Sequence, residues 1–251
     1  MFFNNKFVRI GLSVLVGVTI LVLWEVSHRL KLVSPLVLPA IAEVLENFKI
    51  GVIEGEWWYH IGVTASEGAL GFFYGALAAL VIGSLFAFVD TLRISFYPYI
   101  LALQTFPKLA IAPILVTWLG YGMAPKVVIA AILAFFPIFV NTIAGLRSVS
   151  EGEIDLLRAM RATPLQEFRY LRLPRALAYI FPSLTVAVVV ALLGAIVGEF
   201  VGSQAGLGYL ILQLTFLGDT AAVYAVLMVL SLMGMTSYSV LVLLERMTKY
   251  K

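Results

Sequence analysis

Glu67, Lys108 and Glu199 are ionisable residues set inside long apolar runs. An ionisable group inside a membrane span is expensive and is a functional candidate by default. Glu199 falls near the outer end of its run, where it either lines or gates a solute path or is a hydrogen-bonded partner near the interface. Glu67 lies near the outer end of another, where Thr64 and Ser66 stand ready as hydrogen-bond partners. Lys108, between Pro107 and Pro113, either snorkels, pairs with a carboxylate, or offers its ammonium to an anionic solute. Gly194, Gly198, Gly202 and Gly206 recur every four residues beside Glu199. Such a stripe lets helices approach closely, as plain packing or as a movable seam along a path. Gly71 and Gly75 read as plain packing. A further polar stretch, residues 150–182, carries with its edge six arginines: Arg147, Arg158, Arg161, Arg169, Arg172 and Arg175.

Other chemistry is excluded. No nucleophile–base pair is recognisable, so no covalent catalysis is expected. The chain has no cysteine and two distant histidines, His28 and His60. That removes disulfides, thiolate sites and a His-based metal site. No G-x-x-x-x-G-K-[ST] loop is present, so ATP is not expected to bind here and no cofactor belongs to this chain.

The elements that must carry these residues are membrane helices. The chain is 62% hydrophobic and 12% charged, with a mean hydropathy of +1.02, whereas soluble domains are about a quarter charged. Six spans are predicted, at 8–27, 62–89, 95–119, 126–146, 178–201 and 222–245, each near the ~20 residues a bilayer requires. The third is irregular, with Pro98, Pro107 and Pro113. The run Ile10–Trp24 is followed by bulky and charged residues, so no cleavable leader is expected. The positive charges cluster beside spans, and the net charge of +3 is no nucleic-acid signature. With the N-terminus inside, the inner set is Lys6, Arg9, Arg93, the six loop arginines, Arg246, Lys249 and Lys251. Arg29, Lys31, Lys49 and Lys126 fall outside, with Lys108 on neither side by position. Both termini and the 147–177 loop are then cytoplasmic. The outer loop 28–61 is predicted to hold an amphipathic helix at 39–50, and Trp57-Trp58-Tyr59 reads as an interfacial anchor. Asn141 and Thr142 are candidates for bonds between helices. The whole chain, 1–251, reads as one membrane domain.

The cytoplasmic loop, 148–175, reads as two short helices. Ser150 with Glu153, and Thr163 with Gln166, fit capping boxes, with Pro164 at the favoured first position. Ile154, Leu157 and Met160 form one apolar stripe, and Leu165, Phe168 and Leu171 a second. Leu173-Pro174 is expected to end the second helix. Either these helices cap the bundle, or Leu156, Leu157, Met160 and Ala162 insert into a groove on a partner while arginines set its orientation.

The run DLLRAMRATPLQEFRYLRLPRALAYIFP resembles the signature loop of binding-protein-dependent ABC transporter permeases. Asp155-Leu156-Leu157 stands where the family has Glu-Ala-Ala, and Leu173-Pro174 matches its hydrophobic-x-Leu-Pro ending. Arg161 stands where the family has a Gly that marks a sharp turn. Arg fits only if that turn avoids positive φ, or at a cost. Phe106-Pro107-Lys108 to Pro113, Trp118-Leu119-Gly120-Tyr121-Gly122, Lys126, Phe136-Pro137, Asn141-Thr142 and Gly145-Leu146 resemble the nitrate/sulfonate/taurine-type permeases. So do Gly198-Glu199-Phe200 and Gly206-Leu207-Gly208-Tyr209. The resemblance covers about 62–215, and Ser34-Pro35 more loosely. It is also shared with importers of thiamine precursors and riboflavin.

The resemblance implies an all-α permease subunit of an ATP-driven importer in the bacterial cytoplasmic membrane. It implies a homodimer on two ATP-binding cassette subunits, which hold ATP and Mg, served by an extracytoplasmic binding protein. Asp155, Leu156, Leu157, Met160, Arg161, Ala162, Pro164, Leu173 and Pro174 would couple to the ATPase. Glu199, Gly198, Gly202, Lys108 and Glu67 would lie on the path or gate. The solute would be a small anion such as nitrate, a sulfonate, taurine or bicarbonate, or a vitamin or pyrimidine precursor. The run Gly-Ala-Ile-Val-Gly-Glu-Phe leans toward the vitamin-precursor branch. Two rival classes remain open. An independent channel or carrier would transport without an ATPase. A membrane enzyme would need clustered polar residues at the membrane face.

Overall fold

A computed structural model describes residues 6–249, with side chains from 11 to 248. Eleven α-helices carry the described chain. They are α1 (Lys6–Arg29), α2 (Ile41–Phe48), α3 (Trp58–Phe88), α4 (Asp90–Thr105), α5 (Ala112–Leu119), α6 (Met123–Leu146), α7 (Glu151–Ala159), α8 (Pro164–Glu167), α9 (Leu173–Gly202), α10 (Leu207–Leu217) and α11 (Thr220–Lys249). Among the described residues five helices are long and apolar enough to cross a membrane, and α4 with the segment Lys108–Leu119, bent by 82°, counts as a sixth if the pair is one span. Of the basic residues that set the predicted orientation, Lys251 and the side chains of Lys6, Arg9 and Lys249 lie outside the described residues.

The chain groups into two compact units. The first holds the residues up to Trp58 and Leu210–Val229. In it the stretch between α1 and α2 has no ladder of its own, so side chains satisfy its carbonyls. Trp24 Nε1 donates to Pro39 O at 2.8 Å, Thr220 Oγ1 to Leu36 O at 2.9 Å and Tyr224 Oη to Val37 O at 3.1 Å. The Trp24 and Tyr224 rings meet edge to face. The amphipathic helix expected at 39–50 is α2, followed by a wide π-turn, Lys49–Ile53. Trp57 is not an interfacial anchor. It is buried on Gly51, where a Cβ would overlap its indole. Trp58 and Tyr59 are exposed, as an anchor requires.

The second unit, Tyr59–Tyr209 with Leu230–Lys251, holds the main core. Helix α6 runs between α3 and α9, and small residues let all three approach closely. Ala76 and Ala79 on α3, Ala130 and Ala134 on α6, and Ala187 and Ala191 on α9 are buried together around Ile138 and Phe139. A Cβ at Gly75 would come within 3.1 Å of Ala131 Cα, and one at Gly194 within 2.8 Å of Ala130 Cα. Gly71 likewise faces Ala130, so the α3 glycines do pack. Asn141 and Thr142 do not bond between helices. Each donates to the carbonyl four residues back, Pro137 and Ile138, satisfying its polar group inside its own helix.

Proline dictates the bent span. A residue before proline is pushed out of the helical region, and Phe106 sits at φ −65°, ψ 138° before Pro107. The chain restarts through a 3₁₀ turn, Lys108–Ile111, with Pro113 in the first turn of α5.

Leu173-Pro174 does not end the second loop helix. The helix runs on into α9 through a π-turn at Phe168–Arg172, where the Leu173 N–H reaches back to Phe168 O. The wide turn shifts the register at the point where the ring of Pro174 would crowd the carbonyl four residues back.

Candidate functional site

Two sites emerge at opposite ends of the second unit. The first is the loop between α6 and α9. Both capping boxes form, Ser150 with Glu153 on α7 and Thr163 with Gln166 on α8. Helix α7 ends in a Schellman turn: Arg161 N–H donates to Arg158 O at 2.9 Å and Ala162 N–H to Leu157 O at 3.0 Å. The residue between them must be left-handed, and Arg161 has φ 62°. Arg161 therefore occupies a glycine position under strain rather than avoiding it.

The expected apolar stripes divide. Leu156, Met160 and Leu165 are 64%, 72% and 73% exposed, whereas Ile154, Leu157, Phe168 and Leu171 are partly covered by the bundle. The arginines divide too. Arg147 binds Asp90 at 2.8 Å and Ala87 O at 3.1 Å. Arg172 binds Glu167 at 2.7 Å and lies over the Phe88 ring, and Arg175 binds Glu153. Arg158 lies 3.8 Å from both Asp155 and Glu167. Arg147, Arg172 and Arg175 hold the loop to its own bundle, and Arg158 links its two short helices. Arg161 and Arg169 have no carboxylate partner among the described residues. Glu153 accepts from the Ser150 N–H at 3.0 Å and the Ser150 hydroxyl at 2.9 Å. Those bonds, with Arg175 beside them, hold its carboxyl below the usual range.

The second site is a buried polar cluster at the far end of α3, α6 and α9. Glu67 and Glu199 are 2% and 1% exposed. Lys126 Nζ lies 2.8 Å from Glu67 Oε1 and 2.7 Å from Ser203 Oγ. Thr64 serves Glu199, not Glu67, donating at 2.6 Å, and Gly208 N–H also donates to Glu199. Thr64 Oγ1 accepts from Leu207 N–H at 2.8 Å, and His60 Nδ1 from Gly206 N–H at 3.0 Å. The turn after α9 is thus fastened to α3 through one carboxylate, one hydroxyl and one imidazole. Glu67 Oε2 is buried without a hydrogen-bond partner.

Gly198 and Gly202 are the close-approach points of α9 here. A Cβ at Gly198 would lie 3.0 Å from Lys126 Cα, and one at Gly202 3.1 Å from the Tyr121 ring. A Cβ at Gly206, which has φ 109°, would overlap the Glu199 carboxylate. A cavity of about 360 Å³ opens beside Lys126, Tyr121 and Ser203. Lys108 is not in the cluster. Its ammonium donates to Gln104 O at 2.6 Å and lies 4.5 Å above the Phe136 ring, with no carboxylate among the described residues.

Sequence reasoning missed Lys126, which was counted as an outer loop charge. Its partner stands 59 positions away, and neither hydropathy nor charge counting contains that distance. His60 and Ser203 were missed for the same reason.

Comparison with known proteins places the chain. Residues 71–250 match the family described as binding-protein-dependent transport system inner membrane component. The chain is 31% identical over 234 residues to the putative aliphatic sulfonates transport permease protein SsuC of Bacillus subtilis, covering 93% of this chain and 85% of that one. It is 32% identical over 226 residues to the formylaminopyrimidine transport permease protein ThiX of Halalkalibacterium halodurans, covering 90% of each. The fold matches a chain of the inward-facing MetNI methionine ABC transporter with TM-score 0.64 at 22% identity, over 74% of this chain and 93% of that one. The chain belongs to the family of binding-protein-dependent transport system inner membrane components and is a multi-pass permease subunit of an ABC importer.

Proposed function

We propose that the whole chain acts as one permease domain that pairs with a second copy and sits on two ATP-binding cassette subunits. Those subunits bind and hydrolyse ATP, an extracytoplasmic binding protein delivers the solute, and both termini and the loop 148–175 face the cytoplasm. The observation that carries this reading is the loop itself. It is held to its own bundle by Arg147, Arg172 and Arg175 while presenting Leu156, Met160 and Leu165 to solvent. A rigid loop with an unpartnered apolar knob suits a lever that a partner grips. Arg161, Ala162 and Pro164 shape the turn between the two gripping helices, and Asp155 lies beside Arg158 on the first of them. Leu157 supports it from beneath, and Leu173 and Pro174 link it to α9.

Tilting α9 would move Gly198, Gly202 and Glu199 against α6 and strain the bond of Lys126 to Glu67. In this reading the cluster is the outer latch of a bundle with two arrangements whose balance the ATPases bias. The solutes for which the relatives are named, aliphatic sulfonates, formylaminopyrimidine and, for RibX of Chloroflexus aurantiacus, riboflavin, span anionic and heterocyclic classes. The test is co-purification from native membranes in mild detergent. An ATPase recovered with the wild type and lost with Leu156→Asp supports the reading. Reproducible recovery of the folded chain alone favours an independent channel or carrier.

A further inference from the structure

Lys108 is a half-buried ammonium in a membrane span, at the break of the bent pair. Of its three donors, one reaches Gln104 O, and no carboxylate balances its charge among the described residues. A cation inside a membrane without a counter-charge is unfavourable until an anion arrives.

The surroundings say which kind of anion. A cavity of about 510 Å³ opens beside Lys108, bounded by Tyr74 and Ala78 on α3, Phe106 at the break, and Phe135 and Phe136 on α6. That volume suits a small organic molecule. Tyr74 lies at the middle of α3 (Trp58–Phe88), and Phe135 and Phe136 near the middle of α6 (Met123–Leu146), so the cavity is at mid-depth. A lipid headgroup belongs about 15 Å away, at the interface. The walls are almost wholly apolar, so a bare inorganic anion would lose its water to a single cation and gain little else. A solute with an acid group at one end and an apolar body at the other matches both features.

We propose that this cavity binds a small organic anion, its sulfonate or carboxylate at the Lys108 ammonium and its alkyl or ring body against Tyr74, Phe135 and Phe136. The inference rests on the importer reading above and names the solute class that the path would accept.

The test is equilibrium binding of radiolabelled 1-hexanesulfonate to the purified permease–ATPase complex in phosphatidylcholine nanodiscs. The wild type should bind saturably, with displacement by hexanoate but not by 1-hexanol or nitrate at equal concentration. Lys108→Met should weaken binding at least about tenfold, because it removes the charge, and Lys108→Arg should keep it within about threefold, because it retains one. Equal binding by the Met variant, or displacement by hexanol as effective as by hexanoate, overturns the proposal. Displacement by phosphatidylglycerol reassigns the cavity to lipid and also overturns it. A wild-type complex that couples ATP hydrolysis yet binds no hexanesulfonate sinks this site alone. A chain that recruits no ATPase sinks the importer assembly instead.

Discussion

Lys126 on α6 and Glu67 on α3 form an ion pair of 2.8 Å with side chains only 6% and 2% exposed. Glu199 on α9 is the second buried acid of the same cluster. Only Glu67 is paired with the ammonium; Glu199 is held by the Thr64 hydroxyl and the Gly208 N–H. Removing Lys126 leaves two buried acids without a cation, whereas Glu67→Gln leaves one acid and one cation. Breaking a buried pair by deleting one partner costs roughly 3–5 kcal/mol. Lys126→Met is therefore expected to be far more damaging than Glu67→Gln, and Lys126→Met with Glu67→Leu to recover part of the loss. Thermal unfolding in detergent checks the order. Equal midpoints for the two single variants would refute the charge accounting.

Arg161 at φ 62° carries the Schellman turn that closes α7. Left-handed backbone costs a non-glycine residue about 1–2 kcal/mol, part of which glycine gives back in the unfolded chain. Arg161→Gly is expected to gain about 1 kcal/mol locally, seen as roughly fivefold slower hydrogen exchange at the Arg161 and Ala162 amides. Arg161→Val should speed exchange at both. Unchanged exchange in the glycine variant would show that the strain is relieved elsewhere.

The glycine stripe should grade by what each Cβ would meet. At Gly194 it is 2.8 Å from Ala130 Cα, part of a packed backbone. At Gly202 it is 3.1 Å from the Tyr121 ring, 85% exposed and free to turn aside, and 3.2 Å from a methyl of buried Val116. Overpacking of a fixed contact costs about 1–3 kcal/mol. Gly194→Ala is expected to lower the unfolding midpoint, Gly202→Ala to lower it less, and Gly198→Leu to impair transport by pressing on Lys126. Wild-type transport by Gly198→Leu would remove the idea of a working seam between α6 and α9.

What the sequence made legible follows a physical divide. Signals confined to a few neighbouring residues came through: the apolar spans, α2, both capping boxes, and the proline-broken third span. Arg161 stood out because it replaces the glycine that the resembled family's loop carries at its turn. Features that depend on distant partners did not come through. Lys126 looks like any loop lysine until Glu67 and Ser203 close on it. The loop arginines look alike until Asp90, Glu167 and Glu153 select some of them. Trp57 has the composition of an interfacial belt, and only the bare backbone of Gly51 beneath its indole makes it a core residue. Pro174 obeyed a local rule that a π-turn circumvents.

Glu153 supplies a pH dependence outside the membrane. Its carboxyl is held low chiefly by the Ser150 N–H and hydroxyl, with Arg175 adding to them. A depressed folded value means that the carboxylate's contribution is complete above its ordinary value of 4.5. That contribution is lost as pH falls through the lower, folded value. A spin label at the exposed Gly152 should therefore gain mobility only below about pH 4.5. Glu153→Gln should be more mobile at neutral pH and insensitive to acid. A mobility profile centred near neutrality in the wild type would assign the transition to another group.

Leu156 and Leu157 are adjacent on α7 but face different surroundings. Leu156 is 64% exposed beside Met160 and Leu165, whereas Leu157 is partly covered and its carbonyl closes the turn at Ala162. An aspartate at 156 enters water and changes only the surface offered to a partner. An aspartate at 157 must be taken partly out of water, at a cost of about 1–3 kcal/mol. Leu156→Asp is therefore expected to keep the wild-type unfolding midpoint while losing the ATPase. Leu157→Asp should lower the midpoint by a few degrees and lose the ATPase only as the loop loosens. Measuring midpoint and ATPase retention on the same samples separates grip from support. A lowered midpoint in Leu156→Asp, with the ATPase retained, would place Leu156 in the bundle and leave the loop as a cap.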